Sequence, residues 1–226
     1  MNNQYQDILN SIEEFKRVFG SEYKFLSVVT EQELSSFEKK FNVKIPSEYR
    51  WFLLNVANGI VNKDKYGFDI VSKVMFTDFY YDKDEFNPSL SFNWDKKVVS
   101  YDYASDDYPY EKVINEDLDY FTECTNGQIS ILGTGCGGCD FIIVNGKEYG
   151  NVWIDNYTSM SEVYPDYDLK RDLKRLNFFE WLIKSIERKI DTNSQNIESE
   201  RKEQREKENL QKSKPNDTRN WWQFWK

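Results

Sequence analysis

The sequence contains no histidine in 226 residues. That absence removes Ser–His and Cys–His nucleophilic catalysis, imidazole acid–base chemistry and histidine metal ligation together. Cysteine is scarce and odd in number, at three, which suits reduced thiols in a cytoplasm better than a disulfide framework. No apolar run approaches the length needed to cross a bilayer. The start, Met1-Asn2-Asn3-Gln4-Tyr5, lacks a basic stretch followed by an apolar one, so no signal peptide is expected and a cytoplasmic location is. Basic residues are outnumbered 30 to 39, a net charge of −9. This argues against direct nucleic-acid binding, which needs a basic face for phosphates, and fits a partner that is itself basic.

What the sequence does have is aromatic residues: 15 Tyr, 16 Phe and 7 Trp, enough to build a core although only 39% of residues are hydrophobic. The length suits one domain with an appendage. Ile8, Ile12, Phe15 and Phe19 recur at helical spacing. Thr30-Glu31-Gln32-Glu33 has the form of a capping box opening a second helix with Leu34, Phe37, Glu38 and Phe41 near one face. Pro46 breaks that helix. A third is predicted from Glu48 to Val56 with Tyr49, Phe52, Leu53 and Val56 inward, ended by Asn58-Gly59. Strands are then predicted over Tyr66–Phe76, Gln128–Leu132, Phe141–Val144 and Tyr149–Asp155, with Asn145-Gly146 as a two-residue hairpin turn. Asn177 caps a closing helix with the apolar stripe Phe178, Phe179, Leu182, Ile183, Ile186 and Ile190. The order implies an α+β fold, a largely antiparallel sheet flanked by N-terminal helices and a closing C-terminal helix. Residues 1–190 are expected to form that domain. Residues 191–226 read as a charged, flexible tail or solvated helix, because Ile197 and Leu210 are the only large aliphatic residues before its terminal aromatic cluster.

Ile45-Pro46-Ser47-Glu48-Tyr49-Arg50-Trp51-Phe52-Leu53-Leu54 followed by Asn58-Gly59 resembles a pattern of the SUKH superfamily. So does the helix from Thr30 to Phe41 before it, where that family often carries a Glu. Ile131-Leu132-Gly133 through Gly138-Cys139-Asp140-Phe141-Ile142-Ile143-Val144 resembles the family's Gly-rich turn, acidic residue and strand. Gly150-Asn151-Val152-Trp153 is similar to the family's next strand, and the helix at 177–190 to its closing one. The resemblance covers roughly residues 25–190, the size of an ordinary domain. It implies an α+β fold and a non-catalytic immunity protein that binds a cognate secreted toxin, with no cofactor and no metal. Some members of the superfamily are instead regulators of cell-wall synthesis or protein modification. The long insert at 78–123 and the segment at 191–226 depart from the pattern.

The insert holds 13 Asp/Glu against 4 Lys/Arg, which leaves the rest of the chain near neutral. It is also rich in tyrosine. Tyr101, Tyr103, Asp106, Asp107, Tyr108 and Tyr110 are therefore candidate partner-binding residues, since acidic charge speeds encounter and Tyr supplies rigid contact area. A nuclease toxin has a basic substrate cleft that such a face could occupy. The bland alternative is a solvated loop. Trp221, Trp222 and Trp225, with Phe224, are candidates for docking into a partner, for membrane contact or for folding back. If recruitment runs through them, the protein is instead an intracellular scaffold. Cys136-Gly137-Gly138-Cys139 has CxxC spacing but lacks a helix-opening context and a full ligand set, so it reads as a Gly-rich turn. Gly133 to Gly138 lacks the Lys-Ser/Thr and helix of a phosphate cradle. Asp140 is expected to cap that turn. Trp51, Trp153 and Trp181 are expected in or beside the core.

Overall fold

The computed structural model describes residues 3–64, 69–72, 87–92, 98–100, 111–113, 126–135, 138–156, 163–168 and 174–213. Helix α1 (Asn3–Phe19) buries Ile8, Ile12, Phe15 and Phe19, as their spacing predicts. Strand β1 (Tyr23–Phe25) leads to α2 (Glu31–Phe41) and α3 (Ser47–Asn55). Strand β2 (Ile60–Asn62) then returns antiparallel on β1, with Phe25 opposite Ile60.

The capping box at the head of α2 forms. The Thr30 hydroxyl accepts from Glu33 N–H at 3.2 Å, and the Glu33 carboxylate accepts from Thr30 N–H at 2.8 Å. Two of the helix's orphan donors are thereby satisfied. Thr30→Ala is expected to lose about 1 kcal/mol, read as a melting temperature lower by about 3 °C; an unshifted melt would mean that the cap is energetically idle. The far end of α2 stops at Asn42, in the left-handed conformation (φ 51°, ψ 46°), whose N–H donates to Glu38 and Lys39 carbonyls. Asparagine tolerates this geometry because its short polar side chain bonds locally.

Helix α3 does not end on Gly59 as predicted. Its cap is Val56, with right-handed φ and ψ, its N–H donating to Phe52 O. Gly59 (φ 134°) serves the turn into β2 instead, where its carbonyl accepts from Leu26 N–H at 3.0 Å.

The main sheet has four antiparallel strands in the order β5 (Gln128–Gly135), β6 (Gly138–Ile143), β7 (Val152–Asp155), β8 (Val163–Pro165). Two ribbons accompany it, β3 (Val98–Ser100) with β4 (Glu111–Val113), and β9 (Tyr167–Asp168) with β10 (Lys174–Arg175). β4 lies beside β8. Every residue of β6 is buried, so its two faces both meet protein. Cys139, Phe141 and Ile143 alternate onto one face and share a cluster with Phe92, Trp153 and Val163. From the opposite face Asp140 Oδ2 accepts the indole N–H of Trp181 at 2.8 Å. Asp140 thus sits within a strand and ties the sheet to the closing helix; the expectation that it caps a turn is corrected. β5 and β6 also run further than predicted. Gly135 pairs with Gly138, so most of the Gly-rich stretch is strand.

The expected two-residue turn at Asn145-Gly146 is absent. Ile142 pairs with Val152, and Gly150 N–H returns to Ile143 O at 2.9 Å, so a longer connection joins β6 to β7. The reason is tertiary. Asn145 N–H and C=O are engaged by Gly127 O (3.2 Å) and Phe92 N–H (3.0 Å), and its side-chain amide donates to Ser89 O.

Helix α4 (Phe178–Ser213) opens on a second capping box: Asn177 Oδ1 accepts from Glu180 N–H at 3.0 Å and Glu180 Oε2 accepts from Asn177 N–H at 3.3 Å. Phe178, Phe179, Trp181, Leu182 and Ile186 are buried. The chain divides into two compact units, Met1–Ile186 and Glu187–Lys226. In the second, residues through Ser213 are helical and their described side chains are mostly exposed, Ile197 among them. Good helix formers and the i,i+4 pair Glu203–Lys207 accompany that conformation.

Candidate functional site

Of the predicted partner-binding residues, Tyr101, Tyr103, Asp106, Asp107, Tyr108 and Tyr110 fall between β3 and β4, whose pairing puts Ser100 opposite Glu111. They lie outside the described residues, as do Trp221, Trp222, Trp225 and Cys136. Cys139 is buried in β6. Trp153 and Trp181 are buried and Trp51 is half-buried. Trp51 packs against Tyr5 and Phe179 at ring separations of 5.0 and 5.5 Å.

Among the described residues, the first unit carries an open groove of about 680 Å³ lined by Glu38, Asn42, Val43, Lys44, Val144, Asn145, Gly146 and Tyr149. One wall is the end of α2 and the turn after it; the other is the β6–β7 connection. The first wall is braced from behind. Glu38 Oε1 accepts from Ile45 N–H at 3.0 Å and lies 3.5 Å from Arg50 Nε, while the Arg50 guanidinium also grips Glu31 with both terminal nitrogens. The hydrogen bond to Arg50 holds the Glu31 carboxyl below the usual range. Arg50 is thus a clamp from α3 onto both ends of α2, in the fork geometry that suits carboxylates.

The second wall is set by glycines. Gly146 has φ 116° and Gly150 φ 87°, and Gly127 lies beneath the connection, bonded to Val144 and Asn145 N–H. Glu148 between them is buried. It pairs with Arg175, which also stacks over Trp153 at 5.7 Å, and it accepts from the Asn151 amide at 3.0 Å. Tyr149 remains 47% exposed. Partial burial, and then the charges of Glu38 and Glu48, push its phenol pKa up.

Sequence reading does not reveal this groove. Its walls are about a hundred residues apart in the chain, and Tyr149 reads as part of a strand. One local signal exists: Asn42 directly after an amphipathic helix is a candidate left-handed cap. Among the described residues no helix is long and apolar enough to cross a membrane.

Two comparisons bear on identity. The model of the SMI1/KNR4 family (SUKH-1) matches residues 28–184. The immunity protein RhsIB of Dickeya dadantii (strain 3937) is 31% identical over 94 residues, 40% of this chain. The match spans 47% of that relative's own length. The family match runs from just before the α2 capping box to the buried turns of α4, and so takes in both walls of the groove, the clamp and the main sheet. The chain belongs to the SMI1/KNR4 family (SUKH-1).

Proposed function

We propose that this protein is an immunity protein that binds a cognate toxin of a polymorphic toxin system in the cytoplasm and neutralises it one-to-one, without chemistry of its own. The observation that carries this reading is the family match over residues 28–184 together with the similarity to an immunity protein. The physical arrangement is in keeping with it. Three of the four buried carboxylates among the described residues serve as braces: Asp140 to Trp181, Glu148 to Arg175, and Asp166 to Lys184 at 2.5 Å. A rigid scaffold of this kind suits recognition by surface complementarity.

The toxin-facing surface in this reading is the acidic, tyrosine-bearing segment between β3 and β4, and a nuclease is the toxin class whose basic cleft it fits. Co-purification with the product of the neighbouring gene, followed by growth rescue of cells making that product, tests the function. A stable complex with rescue is the expected result; no complex and no rescue would sink the reading. Within a complex, Asp106→Lys with Asp107→Lys is expected to slow association about tenfold at low salt. An unchanged association rate would move the toxin contact elsewhere.

A further inference from the structure

We infer that Asn145 is a site of spontaneous modification, deamidation through attack by Gly146 N, and that this reaction loosens residues 87–92 from the main sheet. The inference does not rest on the neutralising role, and the two fail separately.

The chain holds three Asn-Gly pairs, Asn58-Gly59, Asn126-Gly127 and Asn145-Gly146. Before glycine, the following backbone nitrogen reaches the asparagine side-chain carbon with least hindrance, because no Cβ shields it. That nitrogen must first give its proton to solvent, so burial or a hydrogen bond suppresses the step. Asn58 and Gly59 are both buried. Gly127 is buried, and its N–H donates to Asn87 O at 3.1 Å. Asn145 and Gly146 are both partly exposed, and Gly146 N–H has no acceptor among the described residues. Two pairs are thus protected and the third is not. One restraint acts on it: the Asn145 amide donates to Ser89 O at 2.6 Å in an exposed hydrogen bond. The reaction therefore waits on local opening of that bond, not on opening of the sheet.

In the step itself Gly146 N bonds to Asn145 Cγ while the bond from Cγ to Nδ2 breaks. The Gly146 amide proton passes to solvent, and the departing nitrogen takes up a proton and leaves as ammonia. Water then opens the five-membered imide at either carbonyl, giving aspartate or isoaspartate. Water enters and ammonia leaves, with no oxidant or reductant. The consequence follows from what Asn145 holds. Its Nδ2 donates to Ser89 O, and its carbonyl accepts from Phe92 N–H at 3.0 Å. Either product lacks the donor to Ser89 O and brings a negative charge among carbonyl oxygens, which repel it. Isoaspartate also reroutes the main chain through Cβ and so shifts the oxygen that Phe92 N–H needs. Among the described residues, that leaves 87–92 with the Gly127 N–H bond to Asn87 O and the Phe92 ring on Phe141 and Trp153. Residues 87–92 lie within the acidic insert, so the reaction is a one-way loosening of that insert's hold on the sheet.

The test is peptide mapping by mass spectrometry of the full chain after incubation in mildly alkaline buffer, native and urea-unfolded side by side. In the native chain, acid is expected at Asn145 at least about tenfold faster than at Asn58 or Asn126, and in urea at comparable rates at all three. Asn145→Gln keeps the amide donor but would need a six-membered ring, and is expected to stop conversion at that position. Asn145→Asp supplies the aspartate product directly. It is expected to speed hydrogen exchange of the Phe92 amide about tenfold while the amides of α1 stay unchanged. Faster native conversion at Asn58 or Asn126 would overturn the site, as would no native conversion at Asn145 over a time in which the unfolded chain converts. Unchanged exchange at Phe92 in Asn145→Asp would overturn the loosening.

Discussion

Gly127→Ala is expected to destabilise the first unit by about 3–5 kcal/mol, the sum of left-handed strain and overpacking. Gly127 has φ +66°, a region alanine enters only at a cost, and there is no room for its methyl. A Cβ there would stand 2.5 Å from Phe92 N, 2.6 Å from Asn145 O and 2.8 Å from Leu90 O. All three are backbone atoms and cannot rotate aside. They also belong to the segments that Gly127 holds together, so relief of the clash must break Phe92 N–H to Asn145 O or displace residues 87–92 from the sheet. Gly150→Ala is the matched control. It has the same strain (φ +87°), but its Cβ would meet only the Pro46 Cβ at 3.9 Å, so about 1 kcal/mol is expected. Urea denaturation of the two variants separates the terms. Equal losses would show that strain alone operates and that the packing around Gly127 gives way.

Arg175→Met is expected to cost about 2–3 kcal/mol. Glu148 is nearly closed to solvent, its side chain 10% exposed, and Arg175 is its counter-charge. Removing one member of a buried pair leaves the other desolvated and uncompensated. The figure is placed at the lower end because the Arg175 side chain keeps 31% exposure, which lets solvent share the field. Part of the loss is contact with Trp153, which methionine partly replaces. The discriminating measurement is the double variant with Glu148→Gln. If the uncompensated carboxylate is the cause, the pair of changes costs less than Arg175→Met alone, since a neutral amide still accepts from Asn151. If the double variant is as unstable as the sum of the single ones, the ion pair is not coupled and packing accounts for the loss.

The elements legible in the sequence are those whose signal is local. The stripe of Ile8, Ile12, Phe15 and Phe19, the reciprocal Thr30–Glu33 bonds and the Asn177 cap depend on residues within a few turns of each other, and the structure shows each. The antiparallel core agrees with the sheet expected from the order of helices and strands along the chain. Local signals mislead where distant backbone or a distant side chain claims the group. Asn145-Gly146 has the chemistry of a tight hairpin, but Phe92 and Gly127 take its hydrogen bonds and open the connection. Asp140 stands beside glycines and so looks like a turn cap, but its partner is the Trp181 indole on another element. The groove is the extreme case, because Lys44 and Asn145 share it only after the α2–α3 turn and the β6–β7 connection have met.

The ring contact between Tyr5 on α1 and Phe179 on α4, with centroids 5.4 Å apart, has a consequence for the order of folding. Helices α1 to α3 and the β1–β2 pair are all translated before the main sheet. Yet Tyr49, Phe52 and Trp51 of α3 complete their packing on Phe178 and Phe179. A nascent chain halted before Phe178 therefore presents the aromatic face of α3 uncovered, a surface for a chaperone or for another unfinished copy. Local helices form fast, whereas the contact of the first helix with the last requires closing a loop of most of the first unit, an entropic cost of the kind that slows folding.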